Sequence, residues 1–193
     1  MKVEPITLRG ACVRLEPLNL DHVTGLARVG LDPELWRWIP FSVKSEEEML
    51  GYVLNALDEQ RRGVSLPFAI VDAPGGEVIG CTRYMNIEPV HRRLEIGSTW
   101  LNSSYQRTRA NTEAKLLLLT HAFETLGANR VELKTDYLNE KSRNAILRIG
   151  AKEEGVFRKH IVTASGRVRD TVYFSIIDTE WPAVRERLGA MLA

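Results

Sequence analysis

The stretch YQRTRANTEAKLLLL, from Tyr105 to Leu119, has the pattern of a helix opening with basic residues near its start and no glycine. The first turn of a helix leaves backbone N–H groups without intrahelical acceptors and carries the positive end of the helix dipole. Phosphate chemistry suits such a place. Phosphate-holding openings usually carry glycine, so that the backbone comes close to the anion. Two readings follow. Either Arg107 and Arg109 replace close backbone approach with charge, or the segment is an ordinary helix start. Asn111 tolerates unusual backbone angles better than most residues. Metal chemistry has no comparable signal. His22, His91, His121 and His160 are scattered, and no Cys/His spacing resembles a zinc site. Cys12 and Cys81 sit in apolar, strand-like stretches with no secretion signal to favour a disulfide.

The elements that must position this opening follow from the hydrophobic pattern. Residues 6–18 form an opening strand. A helix spans 20–30, with Val23, Leu26 and Ala27 on one face and Gly30 as its stop. Residues 45–63 form an amphipathic helix with a Ser45/Glu48 capping box and a Met49, Leu50, Val53, Leu54 and Leu57 stripe as its core face. Two strands flank PGGE, and 91–102 is a third strand in succession. A long helix over 109–126 ends at Gly127. RVELKTDYL is a strand. NEKSRNAILRIGA is a short helix with Asn139 at its cap. A hairpin turning at ASG and a final helix containing Pro182 complete the chain. The order implies a mixed sheet with helices on its faces, an α/β or α+β layered domain, and a single domain over 1–193. The strands before and after the long helix should be parallel. Ligands bind open sheets at the carboxyl ends of such strands, which points at the STWLN–SSYQRTRAN junction.

The 193 residues are 44% hydrophobic and 26% charged, with a formal net charge of +1. Nothing in that balance draws the chain to nucleic acid or to a membrane. No apolar run nears the roughly 20 residues of a membrane span, and MKVEPITLRG lacks a signal-peptide core. The expectation is a cytoplasmic protein.

Three segments carry a family resemblance. LEIGSTWLN followed by SSYQRTRANTEAKLLLLTHAFETLG, then NEKSRNAILRIGA, then AKEEGVFRKHIV with GRVRDTVYFSI, are together similar to the GNAT N-acetyltransferase superfamily. Within it they resemble the branch that acetylates ribosomal-protein N-termini and related amines. The resemblance implies a mostly antiparallel sheet with one splayed parallel strand pair. It implies acetyl-CoA as cosubstrate, no metal, and an amine acceptor, either a peptide N-terminus or a small amine. Members are often dimers, so a homodimer is an open expectation. A non-catalytic relative that binds CoA or protein is the alternative.

The resemblance also implies roles. Acetyl-CoA would wedge between the splayed strands, its pyrophosphate on backbone N–H groups at the helix opening. The family pattern there is Gln or Arg, two residues, Gly, one residue, then Gly or Ala. Here that run is Gln106, Arg107, Thr108, Arg109, Ala110 and Asn111, followed by Thr112. Gln106 matches, while Arg109 and Asn111 stand where small residues are the pattern. The backbone of Thr99, Trp100 and Leu101 would pair with the pantetheine amides as an added strand does. Asn139 would contact the pantetheine arm, or serve as a plain helix cap.

Deprotonating an amine requires a base. Glu95, eleven residues before Gln106, has a spacing similar to the general-base Glu of the histone-acetylating branch. Its alternative is an ion pair with Arg92 or Arg93. Strand alternation places Glu95 with Gly97 and Thr99, opposite Leu94, Ile96 and Trp100. Many relatives place an acidic Tyr seven residues after the capping Asn, and Ile146 stands there. Ser142 is the remaining hydroxyl for the leaving thiolate, or an ordinary helix-surface serine, with Tyr137 and Tyr105 as weaker substitutes. Trp36, Trp38 and Phe41 form a cluster that either joins the core or lines an acceptor cleft. The basic groups at 158–160 and 166–170 are a solvated edge or a surface for an acidic peptide or ribosomal partner. His160 is a minor candidate for acceptor chemistry.

Overall fold

The computed structural model describes all residues, Met1–Ala193. Strands β1 (Leu8–Arg9) and β2 (Val13–Pro17) open the chain. A 3-10 turn at Leu20–His22 leads into α1 (Val23–Gly30), then α2 (Pro33–Trp36) and α3 (Glu46–Arg61). β3 (Leu66–Asp72), β4 (Val78–Glu88) and β5 (Arg93–Leu101) follow. Next come α4 (Arg109–Thr120), a π turn at His121–Thr125, and β6 (Arg130–Asp136). α5 (Glu140–Arg148), β7 (Lys152–Val162), β8 (Val168–Ile177) and α6 (Trp181–Leu192) complete it.

One eight-stranded sheet has the order β1-β2-β3-β4-β5-β6-β8-β7. Every neighbouring pair is antiparallel except β5–β6, which is parallel. That pair is hydrogen-bonded only over Arg93–Glu95 and Arg130–Glu132. Beyond it, β5 stays with β4 as far as Leu101, and β6 stays with β8 as far as Asp136. The two strands therefore splay apart at their carboxyl ends.

Helices cover both faces. One core unites Leu94, Ile96 and Leu101 of β5 with Ala114, Leu118 and Leu119 of α4 and with Trp181 and Leu188 of α6. The other joins Leu26 of α1 and Met49, Tyr52, Val53 and Ala56 of α3 to Ala69, Cys81 and Trp100 of the sheet. Burying these apolar faces at roughly 25 cal/mol per Å² is the main force holding the layers.

Four local features differ from the pattern-based expectation. The opening strand is two short strands, broken at residues 10–12. The buried face of α3 centres on Met49, Tyr52, Val53 and Ala56, and Leu50 and Leu54 of the expected stripe are exposed. At the start of that helix, Ser45 Oγ accepts from Glu48 N at 3.1 Å, while the Glu48 carboxylate accepts from Lys44 N at 2.7 Å rather than from Ser45. The long helix turns from α to π at His121, beside the point where the Tyr84 hydroxyl donates to Leu118 O at 2.6 Å.

Candidate active site at the splayed strand pair

β5 carries the first determinant. Ser98 takes φ +47, and the β4–β5 register shifts there, from Arg83↔Gly97 to Cys81↔Trp100. This bulge corrects the expected alternation. Trp100 joins Glu95 and Gly97 on the α3 side, its ring tilted at 52° to that of Trp36 with centroids 5.4 Å apart. Thr99 turns to the α4 side, where Lys115 Nζ donates to its Oγ1 at 2.9 Å. Bulges re-aim side chains in this way next to functional sites.

Glu95 is buried, and its partners are not Arg92 or Arg93. Lys134 Nζ of β6 lies 2.9 Å from Glu95 Oε2, and Asn86 Nδ2 donates to the same oxygen at 2.8 Å. The ion pair straps the two strands together near the point where their ladder ends. A Cβ at Gly97 would stand 2.7 Å from Glu95 Oε1 and 2.8 Å from Met85 Sδ, so a larger residue there would push these two side-chain ends aside. Arg93 pairs instead with Glu132 at 3.5 Å, and Arg92 Nε donates to Gly127 O at 2.7 Å.

The helix opening is the second determinant. Thr108 caps α4, its hydroxyl accepting from Ala110 N at 3.2 Å. Arg107 adopts the left-handed φ of +62. The backbone N–H groups of Arg107 and Thr108 have no acceptor in the protein. Both arginines are exposed; Arg107 has no ion-pair partner, and Arg109 Nη2 reaches Ala193 O at 3.3 Å. Gln106 bridges the mouth of the splay, donating from Nε2 to Leu101 O at 3.1 Å and accepting from Lys141 Nζ at 2.6 Å. Free amides at a helix N-terminus, flanked by the unpartnered Arg107 guanidinium and by Arg109, are a chemically suitable seat for a pyrophosphate. Ala110 and Thr112 are buried and Asn111 half-buried, so the next residues anchor the turn.

Across the splay, Asn139 caps α5 by accepting from Ser142 N at 3.1 Å. Ser142 is half-buried, and its hydroxyl makes no hydrogen bond to the protein. Ile146 is buried in the main core. Tyr137 is exposed beneath the Arg143 guanidinium, 4.8 Å from ring centroid to Cζ.

The aromatic cluster divides. Trp36 belongs to the core, 4% exposed and donating from Nε1 to Gly30 O at 2.7 Å. Trp38 is half-buried where the loop before α3 meets the β7–β8 hairpin: Arg169 Nη1 donates to its carbonyl at 3.2 Å, and Ala164 N donates to Pro40 O at 2.8 Å. Phe41 is exposed at its edge, 5.7 Å from the Trp36 ring. His160 packs against Phe157 and Tyr173 on the open sheet face.

Several groups were not legible from motifs. Glu113 of α4 accepts from three consecutive backbone amides, Ala11, Cys12 and Val13, at 2.9, 2.7 and 2.6 Å. Lys115 is 7% exposed, and no acid pairs with it; burial pulls its pKa down to about 7. Its signal was its place in the Ala114, Leu118, Leu119 and Ala122 stripe. Burial also lowers the pKa of His121, beside Tyr84. Cys12 and Cys81 are both free thiols. No group of three or more His, Cys, Asp or Glu side chains is placed to hold a metal ion, and no helix is long and apolar enough to cross a membrane.

A sheet split at one parallel pair, with a helix opening aimed at the split, defines a class of acyl-transferring enzymes. Residues 13–152 match the family model described as acetyltransferase (GNAT) domain, and the chain belongs to that family as an acetyltransferase. A GCN5-related N-acetyltransferase from Brucella melitensis is 34% identical, with a TM-score of 0.91 over 100% of this chain and 88% of its own. Mycobacterium smegmatis RimJ, solved in complex with CoA-disulfide, is 25% identical with a TM-score of 0.82, covering 97% of this chain and 93% of its own. YdaF of Bacillus subtilis (strain 168), provisionally named a ribosomal N-acetyltransferase, is 37% identical over 106 residues, 55% of this chain and 57% of YdaF. That match therefore spans little more than half of YdaF.

Proposed function

We propose that the protein transfers an acetyl group from acetyl-CoA to a primary amine, at a peptide or protein N-terminus or on a small molecule. The observation that carries this reading is the splay itself. A parallel pair bonded over three residues a side opens toward a helix start with free amides. The RimJ relative, with a CoA derivative in its structure, supports the cosubstrate. Bound acetyl-CoA supplies an activated thioester, and the residues of this chain prepare it and the amine.

Arg107, Thr108 and Arg109 hold the pyrophosphate with backbone N–H groups and guanidinium charge, seated by Gln106, Ala110, Asn111 and Thr112. The edge of β5 at Thr99, Trp100 and Leu101 offers strand-like bonds to the pantetheine, and Asn139 borders its path. Glu95 accepts the amine proton, directly or through water, while Lys134 and Asn86 fix its orientation. The nitrogen forms a bond to the acetyl carbon as the carbon–sulfur bond breaks. Ser142, whose hydroxyl is free of protein partners, donates a hydrogen bond to the sulfur, which departs as the thiolate and takes its proton from solvent. Trp38 and Phe41 form the outer wall on the acceptor side.

Free-thiol release over a panel of peptides and small amines, with mass detection of the acetylated product, tests the reading. Turnover should need both acetyl-CoA and an amine, and Glu95→Gln should lower kcat by about 10²–10⁴ without weakening acetyl-CoA binding. Equal turnover by Glu95→Gln at every pH removes Glu95 as the base. Binding of acetyl-CoA without transfer to any amine removes the proposed reaction.

A further inference from the structure

The cluster at the carboxyl end of β6 and the start of β8 has one more positive charge than the chain balances. Asp136 is fully buried, and its Oδ2 is contacted by Arg167 Nη2 and, at 3.9 Å, by Arg169 Nε. Its Oδ1 is used by Leu138 N at 3.0 Å. No other carboxylate pairs with either arginine. Glu95, on the same side of the sheet, is committed to Lys134. Asp170 points elsewhere, accepting from Lys159 N at 2.6 Å.

Arg169 is 4% exposed and makes a single hydrogen bond, from Nη1 to Trp38 O. Its Nε is buried without a hydrogen-bond partner, as is the Thr171 hydroxyl two residues along the same face of β8. A buried lysine relieves such a state by losing its proton, but an arginine in a protein does not. A buried cation without a full counter-charge is costly. The matching anion is therefore expected from a ligand. Val172, Phe174 and Ile176 point into the core, so Arg169, Thr171 and Tyr173 look to the opposite face, which also carries Glu95. The CoA phosphates belong at the α4 opening, on another part of the cleft.

We propose that Arg169, assisted by Thr171 and Arg167, binds a carboxylate carried by the acceptor, so that the enzyme selects amines bearing an acidic group near the nitrogen. This rests on the acetyl-transfer reading and names the substrate class for it. Trp38 lies over the site, its carbonyl on Arg169 and its ring 5.8 Å from the Arg167 guanidinium carbon. A planar guanidinium with uncommitted donors is the side chain best matched to a carboxylate. The carboxylate has two natural sources: a free amino acid, or an Asp or Glu close to a peptide N-terminus.

The test compares matched acceptors in the wild-type protein: free amino acids against their carboxamides, and hexapeptides with Asp or Glu at the second residue against Asn or Gln. In one of the two arms, kcat/KM should favour the acid at least tenfold, and that arm identifies the source. Arg169→Gln should bring the ratio to within about threefold of unity with acetyl-CoA affinity unchanged, and Arg169→Lys should keep part of it. Equal or reversed preference in both arms overturns the carboxylate site while leaving acetyl transfer standing. A preference that survives in folded Arg169→Gln also overturns it. If Arg169→Gln does not fold, the wild-type ratios and Arg169→Lys decide. Failure of acetyl-CoA to bind or to acetylate any amine is a different result, and removes the reading beneath as well.

Discussion

At the residue scale, the helix opening carries two exposed arginines, Arg107 and Arg109, and no glycine. Arg107 holds a left-handed φ of +62 that glycine adopts without strain. Arg107→Gly should therefore leave stability unchanged or raise it by about 0.5–1 kcal/mol, while weakening acetyl-CoA about tenfold or more at low salt. Denaturation and titration of the same variant check both halves; unchanged affinity would mean that the guanidinium takes no part. Lys115 makes a second prediction. Its folded pKa is about 7, against an ordinary value of 10.5. Between those values the unfolded chain binds a proton that the folded chain does not, so stability rises with pH across that window and the benefit is lost as pH falls toward 7. Relative to Lys115→Met, the wild type should gain up to about 1.4 kcal/mol per pH unit above 7, measured by denaturation from pH 7 to 9.5. Parallel curves would show that the amine is not desolvated. Neither prediction came from motifs alone. The sequence showed arginines without glycines, but the backbone angle at Arg107 and the missing counter-ion of Lys115 are properties of the packed chain.

At the element scale, α4 is held from outside its own sequence. Glu113, in the second turn of the helix, grips the amides of residues 11–13 across a separation of about a hundred residues, and so fixes the N-terminal half of α4 against the β1–β2 hairpin. Glu113→Ala strands three donors in a partly buried place. It should cost about 1–3 kcal/mol and, by loosening that half of the helix, weaken acetyl-CoA more than Arg107→Gly does. Measured melting and affinity both at wild-type level would refute this anchoring. The order of strands and helices was legible, because amphipathic period, capping residues and glycine stops are local signals. The bulge at Ser98 was not. A one-residue irregularity moved Thr99 and Trp100 to opposite faces from those that simple alternation gives, and nothing in LEIGSTW announces it. The π turn after α4 was equally hidden, and the Tyr84 hydroxyl that bonds Leu118 O beside it lies on another element.

At the scale of the molecule, the sheet is two antiparallel blocks, β1–β5 and β6–β8, joined by a three-residue parallel seam and the Glu95–Lys134 strap. The cosubstrate is expected at the opening between the blocks, and the acceptor on the face opposite α4. Family membership follows from the whole pattern. The acceptor-side contacts around Arg169 depend on how the 37–41 loop meets the last hairpin, which no local motif encodes. The central claim is that a helix opening without glycine still seats the CoA pyrophosphate. Acetyl-CoA and S-acetylpantetheine share the thioester and the pantetheine arm, but only the former carries the phosphates. Calorimetric titration with each tests the claim most directly. The account predicts that acetyl-CoA binds at least a hundredfold more tightly, a difference of about 2.7 kcal/mol, and that the gap shrinks in Arg107→Gly. Equal affinities for the two, or no binding of acetyl-CoA, would contradict it.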